Sequence, residues 1–127
     1  MKKLFCALLI FCSSAAWGMR VSKFTMQPGT LTVTSSDVYT FGVQFQQDTG
    51  YAVQCNWTGA SIAGTIQLET TTDGTDWDTI TGTAQTVSGP GHFTWNAAVA
   101  NYDQFRVHFV YSSGSGSITC TAETKGP

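Results

Sequence analysis

Apolar and polar side chains alternate through the middle of this chain. Tyr51, Val53, Cys55 and Trp57 are separated by Ala52, Gln54 and Asn56, and Ile66 and Leu68 by Gln67. A period of two puts successive side chains on opposite faces of a strand, so these segments read as half-buried antiparallel strands. The same alternation predicts strands over residues 31–34, 38–45, 51–57, 62–70, 77–80, 85–87, 92–96, 105–111 and 117–124. In the second of these, Tyr39, Phe41, Val43 and Phe45 share the apolar face. Phe93 and Trp95 point inward from the seventh, and Phe105, Val107, Phe109 and Tyr111 from the eighth. Gln47-Asp48-Thr49-Gly50 and Thr72-Asp73-Gly74-Thr75 read as hairpin turns. Pro28-Gly29, Gly89-Pro90-Gly91 and residues 112–115 supply the other breaks. Residues 19–27 have weak periodicity, fitting an arm or an edge strand. The expectation is an all-β fold, an antiparallel β-sandwich or jelly roll of about 8–9 strands. Its core is built on Phe41, Phe45, Tyr51, Trp57, Trp77, Phe93, Trp95, Phe105 and Phe109.

The first residues follow a different pattern. Lys2-Lys3 precede an apolar run over 4–11, and small residues lead to Gly18. This is the layout of a Sec-type signal peptide over 1–18, leaving 19–127 as a single β-sandwich domain. The apolar run is too short to span a bilayer. Phe5 and Phe11 stand before Cys6 and Cys12, where a lipoprotein leader needs a small residue. The leader reads as bacterial, and the product as periplasmic, cell-surface or extracellular, with no membrane span after cleavage.

Without Lys2 and Lys3 the chain keeps four basic residues against eight acidic ones, a net charge near −4. That leaves no basic face to neutralise phosphates, which argues against nucleic acid and against an anionic membrane surface. Cys55 and Cys120 remain after cleavage. Each shares the inward face of its strand, and the compartment is oxidising, so a disulfide between them is expected.

Candidate chemistry is thin. Asp73, Asp76 and Asp78 crowd one turn and form a weak calcium candidate, but Asp73-Gly74 is also the pair a tight hairpin needs. His92 and His108 fall opposite the aromatic faces of their strands and read as solvent-facing imidazoles. Arg106 points outward and has Asp103, Glu69 or another subunit as partners. Tyr39, Tyr102 and Tyr111, with Arg106, are the possible glycan or partner contacts. Tyr102 is the best placed because it precedes a strand. Asn56-Trp57-Thr58 matches a glycosylation sequon, which an inward Trp57 and a bacterial leader make a chance match. No nucleophile stands near a base, no metal-ligand spacing appears, and no cofactor motif is present, so the chain reads as non-enzymatic.

Five pieces carry a likeness: Gln54-x-x-Trp57-Thr58-Gly59, Gly64-x-x-x-Leu68, Asp73-Gly74-x-x-Trp77, Phe93-x-Trp95-Asn96 and Tyr102-x-x-x-Arg106. Together they resemble small β-sandwich proteins of tailed phages and prophages, virion-associated or surface structural proteins. The strand, Asp-Gly turn and Trp of residues 68–77 also resemble carbohydrate-binding sandwiches. The resemblance implies a structural or binding role and no catalytic residues. A signal peptide departs from the phage pattern, because virion proteins assemble in the cytoplasm. The expected protein is an exported structural or adhesive module of a surface or virion-like assembly. It would be a homo-oligomer, with a trimer favoured by likeness to fibre modules, and a carbohydrate-binding module is the alternative.

Overall fold

The computed structural model describes residues 21–41, 50–97 and 104–125, of which Val21, Phe41 and Ala97 are described in backbone only. Residues 1–18, expected to be a leader, and Tyr102, Asp103, Val43 and Phe45 lie outside the described residues, as does the core role expected of the Phe41 side chain. The described chain is all-β, with nine strands: β1 Val21–Val33, β2 Val38–Phe41, β3 Gly50–Thr58, β4 Ala63–Thr71, β5 Asp78–Thr79, β6 Gln85–Ser88, β7 Gly91–Ala97, β8 Gln104–Ser113 and β9 Gly116–Lys125.

The strands form two antiparallel sheets. Sheet I runs β1-β9-β3-β7, and sheet II runs β2-β8-β4 with β5 and β6 sharing the far edge of β4. β1 belongs to both, because Gln27 pairs with Phe41 of β2 while the rest of the strand pairs with β9. The predicted Pro28-Gly29 turn is therefore a register shift inside one long strand, between Thr25 and Thr30. Proline has no N–H for a ladder, so it is tolerated here, on an edge strand at an irregularity. Residues 19–27 were the least periodic part of the domain, yet the described ones form strand, and Met26 is fully buried.

Two further expectations are corrected by the pairing. β2 and β3 are not hairpin partners, because β2 pairs with β1 and β8, whereas β3 pairs with β9 and β7, and Gln47, Asp48 and Thr49 of the expected turn lie outside the described residues. Tyr39 is not on the inward face of β2. Thr40 is buried there instead, donating to the Gln27 carbonyl oxygen at 3.1 Å, and Val38 packs on the core beside it. Alternation weighted by hydrophobicity favours the face of the large Tyr39, whereas the strand buries the face of Val38 and the small Thr40.

The core lies between the sheets. Val53, Cys55, Ile118, Cys120 and Ala122 come from sheet I, and Ile66, Leu68, Phe105, Val107 and Phe109 from sheet II. Trp57 and Trp95 are buried with them. Their indole N–H groups donate to the Gly89 and Thr83 carbonyl oxygens at 3.0 and 2.7 Å, so neither buried nitrogen lacks an acceptor. Cys55 and Cys120 form a disulfide and stand directly opposite each other on β3 and β9, with Cα atoms 4.1 Å apart. The bridge thus joins neighbouring strands of one sheet. The short Cα separation marks a pair that exchanges no backbone hydrogen bonds.

Candidate contact surfaces

The outer face of sheet II carries the chemically densest cluster. Glu69 of β4 lies opposite Arg106 of β8, and His108 of β8 lies opposite Tyr39 of β2. Arg106 Nε donates to Glu69 Oε2 at 2.6 Å, and the Arg106 guanidinium also forms an ion pair with that oxygen. His108 Nδ1 lies 2.6 Å from Glu69 Oε1, and its Nε2 lies 3.0 Å from Asp37 Oδ2. Both ring nitrogens face carboxylates, which only accept, so both bonds exist together only in the imidazolium form. Asp37 also accepts the Tyr111 backbone N–H at 2.7 Å, which anchors the start of β2 to β8.

Aromatic rings cover this cluster. The Arg106 guanidinium sits 4.3 Å from the Tyr39 ring centroid and 4.4 Å from that of Trp77. Tyr39 also stacks on His108, with centroids 4.4 Å apart. Four planar groups are thus linked in one chain of contacts: Trp77, Arg106, Tyr39 and His108. Burial pushes the Glu69 carboxyl up, but the hydrogen bonds from His108, Arg106 and Gln67 outweigh it and hold the group below its ordinary 4.5. Asp37 is likewise lowered, first by the Tyr111 N–H and then by His108.

Several expectations change here. His108 is not solvent-facing: its side chain is 12% exposed and bonded at both nitrogens. Trp77 is not core. It precedes β5 and lies half-buried over Arg106, so strand alternation never governed it. Arg106 takes Glu69 among the partners considered for it, and Asp103 lies outside the described residues. Tyr111 packs partly on the core and donates its hydroxyl to the Gly114 carbonyl oxygen at 3.2 Å. Of the tyrosines expected together, the structure brings Tyr39 to Arg106 and leaves Tyr111 away from it. Asp37, Glu69, His108 and Trp77 were not singled out as one site, because only the β2-β8-β4 register unites them.

The Asp73 turn is a local device. Asp73 Oδ1 accepts from the Thr75 and Asp76 N–H groups at 2.8 and 2.9 Å and from the Thr71 hydroxyl at 2.9 Å. Those three bonds lower the Asp73 carboxyl pKa, and Gly74 takes φ 75°. One carboxylate oxygen is thereby used to shape the turn. Among the described residues, no group of three or more His, Cys, Asp or Glu side chains is placed to hold a metal ion.

Sheet I presents a different outer face. Cross-strand rows read Thr25-Thr121-Gln54-Thr94, Lys23-Glu123-Ala52-Asn96 and Thr30-Thr119-Asn56-His92. Hydroxyls and amides dominate, and Ala52 leaves a shallow groove of about 410 Å³ lined by Lys23, Gln54, Thr94, Thr121 and Glu123. His92 is exposed on this face.

No family model matches the chain, and no curated protein matches it in sequence. Solved structures do match in shape. The SPBc2 prophage-derived protein YomS superposes with a TM-score of 0.57 at 13% identity, over 85% of this chain and 95% of that one. The Yersinia pseudotuberculosis-derived mitogen gives 0.50 at 12% identity, over 82% of this chain and 85% of that one. The N-terminal cellulose-binding domain of a Cellulomonas fimi glucanase gives 0.40 at 14% identity, over 84% of this chain and 86% of that one. At these identities the likeness to the first two establishes the fold alone, a β-sandwich, and leaves activity open. Among the described residues no helix is long and apolar enough to cross a membrane.

Proposed function

We propose that this chain is an exported, non-enzymatic structural or adhesive module, a subunit of a surface or virion-like assembly built from copies of itself. The observation that carries this reading is the outer edge of β7. The strand pairs with β3 through seven consecutive residue pairs, and no other strand among the described residues pairs with its far side. Gly91–Ala97 contains no charge, no proline and no bulge, the devices by which a sheet edge is normally protected from other chains. An edge left in that state suits a protein whose edge has a partner.

The cluster on sheet II supports the non-catalytic part of the reading. Its carboxylates, imidazole and guanidinium are bonded to one another, and no buried side-chain nitrogen or oxygen among the described residues lacks a partner. A general acid or base needs a free face toward substrate. This arrangement suits a rigid surface plate.

A second reading is favoured by the groove on sheet I. Gln54, Thr94, Thr121, Lys23 and Glu123 offer hydrogen-bonding groups around a small hollow, which suits a glycan. Light scattering together with a glycan array separates the two. Assembly predicts a discrete oligomer and no glycan signal. A monomer that binds a defined glycan, with binding lost in Gln54→Ala, would replace the first reading by the second.

A further inference from the structure

We infer that the β7 edges of two copies pair antiparallel about a twofold axis at Thr94, joining their sheets I into one eight-stranded sheet. This rests on the assembly reading above and names its interface.

The register follows from the disulfide pair. Cys55 and Cys120 are a non-hydrogen-bonded pair, so the Cys55 N–H and C=O point away from β9 and toward β7. Cys55 lies opposite Phe93, which makes that a hydrogen-bonded pair. Hydrogen-bonded and non-hydrogen-bonded pairs alternate along the ladder. Gly91, Phe93 and Trp95 therefore direct their backbone groups to β3. His92, Thr94 and Asn96 direct theirs to the open edge.

A second β7 in antiparallel register about Thr94 satisfies all three. Thr94 meets Thr94 of the second copy, and His92 meets Asn96 in both directions. Pro90 has no N–H, so the ladder stops at Gly91, and the midpoint of Gly91–Ala97 is Thr94. Side chains fit the same register. On the outer face Thr sits beside Thr and His beside Asn, and the strand carries no formal charge. On the inner face Phe93 comes opposite Trp95 of the other copy, a favourable aromatic cross-strand pair. Phe93 is only half-buried in one copy, packed edge-on to its own Trp95 with centroids 5.2 Å apart.

The other edges do not offer this. β1 bears Lys23, Pro28 and a register shift, and β5 and β6 span two and four residues. Among the described residues β7 is the unprotected edge, and two like edges that meet isologously close into a twofold pair. The polar rows of sheet I then run unbroken across both copies.

The test is a thiol placed on the axis. Thr94→Cys, oxidised with the native disulfide intact, should form a disulfide-linked dimer through the introduced thiol, because a directly opposed pair falls within bridging distance, about 5.5 Å between Cα atoms. Thr121→Cys, on the same face two strands from the edge, should not. Wild type should have twice the monomer mass by light scattering, and Thr94→Pro should be monomeric with an unchanged near-ultraviolet circular dichroism spectrum. A larger oligomer that survives Thr94→Pro, with no link in Thr94→Cys, overturns the twofold interface and leaves the assembly reading standing. A wild-type monomer with no link overturns both.

Discussion

Glu69 decides how the outer face of sheet II behaves. It is the shared acceptor for Arg106 and His108, and it is 5% exposed. Removing it takes the shared carboxylate from both Arg106 and His108, so Glu69→Ala should destabilise by about 3 kcal/mol, the lower end for breaking a buried pair. The same geometry sets a pH dependence. The Glu69 and Asp37 carboxyls lie below their ordinary values in the folded protein. A lowered carboxylate contributes stability in full above its unfolded value and loses it as pH falls through the folded one. Wild-type melting temperature should hold from pH 7 to about pH 5 and then fall steeply. Glu69→Gln should start lower and fall less across the acid range. Parallel melting curves for the two proteins would sink this assignment. The sequence offers Glu69 as one partner of Arg106, but it reads His108 as a solvent-facing imidazole and does not bring it or Asp37 to that pair.

At the scale of elements, eight of the predicted strands have counterparts close to their expected positions, and the ninth, expected over 31–34, is the end of the much longer β1. Long runs with strict alternation were legible: β3, β8 and β9 bury alternate residues as their patterns demand. Short elements were not. β2 and β5 hold four and two described residues, too few for periodicity to fix a face, and both Tyr39 and Trp77 were placed inward wrongly. The Met26 segment was obscured because β1 changes register around Pro28. The two faces make different demands on tryptophan. Trp95 is 6% exposed and donates its indole N–H to a carbonyl oxygen inside the core. Trp95→Ala should therefore cost about 3–5 kcal/mol. Trp77→Ala loses a half-buried ring over Arg106 and should cost about 1 kcal/mol, the worth of a partly exposed cation–π contact. Urea unfolding of both variants measures the difference. Equal losses would return Trp77 to the core.

At the scale of the molecule, the disulfide has an effect its position conceals. Because Cys55 and Cys120 are neighbours in sheet I, the bridge adds no tie between the sheets. The loop it closes, however, has a sequence separation of 65 and contains β4, β5, β6, β7 and β8. All of sheet II except β2 and the crossing point of β1 is held inside it. Chain entropy for such a loop gives about 4 kcal/mol, acting on the unfolded chain. The stabilisation therefore has a signature beyond its size. A cross-linked unfolded chain is more compact and exposes less surface, so the oxidised protein should unfold in urea with a smaller m-value than the double variant Cys55→Ala with Cys120→Ala. The variant should also be less stable by about 2–5 kcal/mol, part of it the cavity left where two buried sulfurs stood. If the bridge worked mainly through native contacts, stability would fall with m unchanged. That result would move its role from the unfolded ensemble to the packing of β3 on β9.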